Sequence, residues 1–232
     1  MRHPAFPATM LACALLLAGC ATAPPSDPRD PFESFNRGVD GVNRDVDRAA
    51  IQPAARAYER NVPRLLRMGV SNVFANLGDP WSAVNSLLQL NIGDAAQNAT
   101  RFAVNTVFGM GGLLDIATDA GIQRHKEDFG TTLGRWGVPP GPYMVLPLIG
   151  PSTVRDTFAL PADWFGDPVR VVGTVLGRNA LVAGRTIDMR GQALSLDPVL
   201  ASALDPYTFM RDAYYQHRDF QAHGTRPQAG AW

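Results

Sequence analysis

Several things are scarce in this sequence. Cysteine occurs only twice, histidine four times, and neither sign of charge prevails: 21 basic residues stand against 21 acidic ones. The balance provides no global field for nucleic acid, so no nucleic-acid partner is expected. Two cysteines build no disulfide framework, and so few histidines, without paired ligand spacing, assemble no zinc motif; no metal and no cofactor are expected. Lysine is almost absent, so nearly all positive charge is arginine. Charged residues make up only 18% of the chain against 46% hydrophobic ones, which argues against disorder and points to apolar surroundings. Its 232 residues suffice for one domain with a sizeable core, or at most two small ones. What is plentiful is punctuation: Gly 22 and Pro 19 exceed the ordinary share of about 12% together. A helical chain so interrupted is cut into short pieces.

The first residues have the physics of a secretory signal. Arg2 and His3 precede an apolar run from Met10 through Ala18, followed by small residues and a cysteine. The run is much shorter than the roughly 20 residues a helix needs to cross a bilayer. Leu17-Ala18-Gly19-Cys20 resembles the bacterial lipobox, so residues 1–19 are expected to be removed and Cys20 to carry lipid. Acyl chains anchor by about 0.8 kcal/mol per buried CH₂, and stable tethering takes several of them. Ala21 is not the Asp that usually retains lipoproteins at the inner membrane, which favours an outer-membrane address. Residues 20–31 are short, polar and proline-rich, a stiff spacer. At about 3 Å per residue it keeps the folded part within roughly 35 Å of the bilayer. A helical domain is expected over 32–221 and a loosely ordered tail over 222–232.

From Asp30 onward the pattern is helical. Asp30-Pro31-Phe32-Glu33 offers a capping acid, a proline at the first helical position and an acid three after the cap; Asp79-Pro80 and Asp205-Pro206 repeat the opening. Phe32, Phe35, Val39, Val42 and Val46 form an apolar stripe at spacings of three and four. Leu66 to Leu77 and Trp81 to Leu88 give two more such stripes, and Asp94 is read as the cap of a fourth helix ending near Gly109. No alternation of strand length and no repeat at solenoid spacing is found. Gly137 to Val154 is uncharged, but five prolines break any helical ladder, so an extended apolar segment against protein or lipid is expected.

Catalytic constellations are weak. His125-Lys126-Glu127-Asp128 lacks a second histidine at ligand spacing and reads as a turn with capping acids. Ser152 lacks the glycine two places on that a nucleophile elbow uses and reads as a helix cap. Gly109-Met110-Gly111-Gly112 lacks the strand and the Lys-Ser/Thr of a nucleotide loop, and reads as a turn or hinge. An enzyme is therefore not expected. Arg44, Arg48, Arg56, Arg60, Arg64 and Arg67 recur at spacings of about four; they are read either as contacts to phospholipid headgroups or an acidic partner, or as a solvated face neutralised by Asp40, Asp45 and Asp47.

The stretches Asp30-Pro-Phe-Glu-Ser-Phe-Asn-Arg, Gly69 to Leu77, Arg101 to Asp115, Glu127 to Val138, Gly141 to Asp156 and Asp205-Pro-Tyr together resemble the MlaA family, also called VacJ. They cover about Asp30 to Phe220, in order, and match least between Asp163 and Leu204. The resemblance implies an all-α, ring-like assembly of short amphipathic helices in the membrane interface, with Gly/Pro-rich connections. It implies an outer-membrane lipoprotein, anchored and embedded in the inner leaflet on the periplasmic side. Such a protein removes misplaced phospholipids from the outer leaflet and passes them through a polar channel. Implied partners are phospholipids, a trimeric porin and a soluble periplasmic lipid carrier. Channel or gate candidates are Phe35, Asn36, Asn105, Gly109, Gly111, Gly112, Asp115, Arg155 and Asp156; the alternative for these positions is tight packing at glycines and buried capping asparagines. Arg56, Arg60, Arg64 and Arg67 are candidates for headgroup or partner contact. Two other functions stand beside transport: a structural lipoprotein that scaffolds a porin, and an envelope enzyme, for which no nucleophile or acid pair is visible.

Overall fold

The computed structural model describes residues 27–223; Cys20, the signal, most of the spacer and residues 224–232 lie outside them. The architecture is all-α with one small hairpin. The first helix is continuous in three parts: α1 (Glu33–Val46), a π-helical turn (Asp47–Ile51) and α2 (Gln52–Asn61). Its expected cap does not form. Asp30 is fully buried and its carboxylate is used elsewhere, while Phe32 occupies the cap position without a side-chain bond.

The second and third apolar stripes are one helix, α3 (Arg64–Leu88), which runs through Pro80. The Asp79-Pro80 pair is therefore no helix start. Proline costs a single backbone bond there, and the neighbouring helix, α4 (Ile92–Val107), packs along α3 and holds it. The cap of α4 is Asn91, whose side-chain oxygen accepts the Asp94 N–H; Asp94 sits one turn in. Short helices α5 (Ile116–Asp119) and α6 (Phe129–Arg135) come next, the latter opened by a capping box of Asp128 and Thr131, which makes Asp128 the capping acid the sequence suggested. The proline-rich stretch holds strands β1 (Tyr143–Leu146) and β2 (Gly150–Thr153), antiparallel with Tyr143 opposite Thr153. Strands of four residues are too short to leave a periodic signature. Thr153, not Ser152, caps α7 (Val154–Gly166); Ser152 instead bonds the Thr157 hydroxyl. A 3₁₀ turn (Pro168–Val171) leads to α8 (Val175–Ala193); a second 3₁₀ turn (Leu194–Leu196) and α9 (Asp197–Ser202) lead to α10 (Pro206–His223). The third Asp-Pro opening behaves as expected, with Asp205 accepting the Tyr207 N–H.

The contacts close a circuit. α1 packs on β1, β2 on α10, α10 on α6, α6 on α3, α3 on α8, and α8 on α2, which continues α1.

Candidate functional site

The interior of this circuit is polar. Among the described residues the buried polar side chains outnumber the buried apolar ones, and most of the latter are alanine. Large apolar residues lie outside: Leu90 is 88% exposed, and Leu65, Ile92, Val107, Phe108, Leu148 and Phe158 are also open. This inverts the usual rule for proteins in water, and contiguous exposed apolar surface marks a membrane or protein interface.

Helical spacing explains the inversion. On α3, Asn76, Asp79, Ser82, Asn85 and Ser86 share a buried face; on α4, Asn98, Arg101 and Asn105 do the same. Arg101 is almost fully buried and reaches the Asp115 carboxylate at 2.7 Å, with the Ile122 carbonyl and Asp79 beside it. Asp79 is also buried and accepts from Arg124 Nε at 2.9 Å. Burial pushes the Asp79 carboxyl up from its ordinary value even though Arg124 pulls it down.

Beyond this stripe lies a cavity of ≈ 740 Å³ between α3, the segment 124–128, the first 3₁₀ turn and α8. Its charged lining is mixed and mainly acidic: Asp79, Glu127, Asp128, Asp163 and Asp188 stand with Arg124 and Lys126, and Asp167 is paired with Arg185. Asp188 is nearly buried on α8 and accepts from Tyr58, Ser71 and Gln192, tying α2, α3 and α8 together at the wall. Asp163 accepts the Trp81 indole and the Phe129 N–H, both at 2.8 Å, and burial raises its pKa as well. Such a space can hold a charged, zwitterionic or heavily hydrated group. Phe74, Trp81 and Met189 complete its walls, while the most exposed apolar residues, such as Leu90 and Leu65, lie elsewhere on the molecule.

The sequence profile of the MlaA lipoprotein family matches residues 28–221. The chain belongs to the MlaA lipoprotein family. It is similar to the intermembrane phospholipid transport system lipoprotein MlaA of Escherichia coli K12, 37% identical over 222 residues, which span 90% of this chain and 85% of that one. It is also similar to the MlaA of Haemophilus influenzae, 33% identical over 229 residues and covering 92% and 88%. A solved structure concerned with maintenance of bacterial outer membrane lipid asymmetry superposes with a TM-score of 0.74 at 37% identity; 83% of this chain and 98% of that one are covered. No helix among the described residues is long and apolar enough to cross a membrane.

The candidate positions suggested by the MlaA motifs fall in three places. Phe35 is exposed, whereas Asn36 is fully buried, its amide donating to Asp30 and the Tyr143 carbonyl and accepting the Val145 N–H. Asn105 and Asp115 meet at 2.9 Å beside Arg101; burial would raise the Asp115 pKa, but hydrogen bonds from Thr118, Asn105 and Arg101 outweigh it and bring it down to about 2. The glycines curl over the end of α4: Met110, Gly111 and Gly112 are left-handed in succession. A side chain at Gly109 would run into the carbonyls of Leu114 and Asn105. Arg155 and Asp156, joined at 3.0 Å, start α7. Tyr143 links two of the three places: its carbonyl takes the Asn36 amide and its ring meets Tyr214, whose hydroxyl donates to Asp156 at 2.8 Å. Asn36, Asn105, Asp115, Arg155 and Asp156 are thus engaged in bonds that tie elements together.

Of the arginines, Arg44 pairs with Asp40, Arg48 with Asp45 and Arg67 with Glu59. Arg56, Arg60 and Arg64 are exposed and lie near exposed Leu65, Leu66 and Met68. The sequence reading missed Asp79, Arg101, Arg124 and Asp188, although the i, i+3, i+4 spacing of polar residues on α3 and α4 was available as a signal.

Proposed function

We propose that this chain is an outer-membrane lipoprotein that removes misplaced phospholipids from the outer leaflet and hands them to a soluble periplasmic carrier, maintaining lipid asymmetry. The observation that carries the reading is the inversion: buried polar faces and a cavity with charged walls, bounded by helices that carry most of the large apolar side chains on the outside. A lipid headgroup carries charge and water, and its transfer into hydrocarbon is costly. A polar interior lowers that cost, while the acyl chains stay in contact with bilayer or with the outer apolar faces. No covalent bond is made or broken, so no nucleophile is required.

Amphipathic helices that satisfy their own backbone bonds can lie in the interface of the inner leaflet. Arg56, Arg60 and Arg64, beside Leu65, Leu66 and Met68, suit contact with headgroups; other exposed apolar faces suit a trimeric porin. In this reading the gate is the glycine turn Gly109 to Gly112, next to Asn105 and Asp115, while Phe35-Asn36 and Arg155-Asp156 frame the hairpin elsewhere in the circuit.

The test is outer-leaflet phospholipid content in cells lacking the gene, in cells carrying it, and in cells carrying Cys20→Ala. A rise on deletion that Cys20→Ala does not reverse is the expected result. No rise, with the protein present at the outer membrane, sinks transport and leaves a porin scaffold as the better reading.

A further inference from the structure

A second hollow, of ≈ 600 Å³, opens on the flank of the molecule between the end of α7, the first 3₁₀ turn and α8. Trp164, Phe165, Val169 and Val182 supply apolar walls, and Arg170 and Arg178 stand among them. Neither arginine has a carboxylate within ion-pair distance among the described residues; Arg170 lies over the Phe165 ring, 4.2 Å from its centre. The other two charges in the wall, Asp167 and Arg185, cancel each other at 2.6 Å. The groove is therefore an apolar trough with two uncompensated guanidinium groups. Phe165 in its wall is 77% exposed, and Val171, next in the chain to Arg170, is 85% exposed. The Asp167–Arg185 pair also lines the polar cavity, so one ion pair forms a wall common to both spaces.

We infer that this groove holds a phospholipid, its phosphate on Arg170 and Arg178 and its chains along Trp164, Val169 and Val182, and that the Asp167–Arg185 pair is the partition through which the headgroup passes into the polar cavity. The inference rests on the transport reading above and adds to it a lateral site and a door. Charge complementarity selects the occupant. A guanidinium fork matches a phosphate diester, and an apolar trough beside it matches acyl chains, whereas an acidic protein segment would leave the trough unfilled.

The test uses the full chain in its own membrane, with a photo-crosslinking p-benzoylphenylalanine replacing Val182 in the groove, Phe74 in the cavity wall, or exposed Val175 as a control for bulk lipid, in cells labelled with radioactive phosphate. Phospholipid adducts are expected at 182 and 74. Arg170→Glu with Arg178→Glu is expected to lower the adduct at 182 by tenfold or more, since one lost charge-assisted contact already accounts for about tenfold, while the adduct at 175 is unchanged; Arg170→Lys with Arg178→Lys, which keeps the charge and loses the fork, falls between the two. Bridging Asp167→Cys and Arg185→Cys with a short bismaleimide is expected to reduce the adduct at 74 and spare that at 182. An adduct at 74 with none at 182, or one at 182 no more sensitive to the arginines than that at 175, overturns the lateral site while transport stands. A protein adduct at 182 in place of lipid overturns it in favour of a protein partner. Unchanged labelling at 74 after bridging overturns the door, and no lipid at either position overturns both readings.

Discussion

Arg218 grips Asp156 with two nitrogens, Nε to Oδ2 at 3.0 Å and Nη2 to Oδ1 at 2.9 Å, in a nearly buried pair that fastens α10 to α7. Burial alone would raise the Asp156 pKa, but Arg218, Tyr214 and Arg155 overcome it and bring it down to about 2. A carboxyl whose pKa is lower folded than unfolded adds stability that is complete above its unfolded value, near 3.8, and is lost as pH falls through the folded value. Thermal unfolding in detergent is therefore expected to show a falling midpoint between about pH 4 and pH 2. Asp156→Asn should be less stable at pH 7, by roughly 3 kcal/mol for a broken buried pair, and flatter across that acid window. Some slope will remain, because Asp27 and Asp115 are also held at about 2.

Asn36 is the peg between α1 and the hairpin. Asn36→Ala strips partners from Asp30, the Tyr143 carbonyl and the Val145 N–H at once. A loss of about 2–4 kcal/mol is expected on the cost of buried unsatisfied groups, read as a lower unfolding midpoint and faster proteolysis at 143–150. An unchanged midpoint would remove Asn36 from the frame.

The glycine turn separates space from strain. Gly111 is left-handed with open surroundings, so Gly111→Ala should cost only about 1 kcal/mol. Gly109→Ala meets backbone oxygens and should prevent the turn from closing, giving little folded protein on expression. Equal effects at the two sites would contradict this geometry.

Exposed arginines beside apolar side chains should sense anionic lipid. Arg56→Glu, Arg60→Glu and Arg64→Glu together are expected to weaken co-flotation of the full chain with vesicles rich in phosphatidylglycerol, at about 1 kcal/mol per charge near the surface. The difference should shrink at high salt.

Much of the helical pattern was legible because α1, α3 and α4 carry clear stripes, and Asp128 and Asp205 cap as their sequences suggest. The stripe does not say which side is inside. Val84, Leu87 and Leu88 trace the outer face of α3, while Asn76, Asp79 and Asn85 trace the buried one; periodicity gives a direction, and the surrounding medium sets its sign. The Asn105–Asp115 contact could be anticipated because only a glycine turn separates the two. Arg218 and Asp128 are 90 positions apart and are brought together only by the closing of the circuit, so nothing local announced them. The hairpin went unread for a different reason: strands of four residues with proline in the second show no alternation.

The π turn at Asp47–Ile51 also sets the phase of the helix beyond it. Each residue added to a helix rotates the later residues by about 100°, so the wide turn works as an angular offset built into a single rod. With it, Tyr58 faces Asp188 and the cavity wall, while Arg56 and Arg60 turn outward. Deleting Ala49 and restoring ordinary winding would rotate both sets out of place without changing any side chain that makes those contacts. The rod would keep its composition and its amphipathic stripe, and it would no longer fit the circuit it closes.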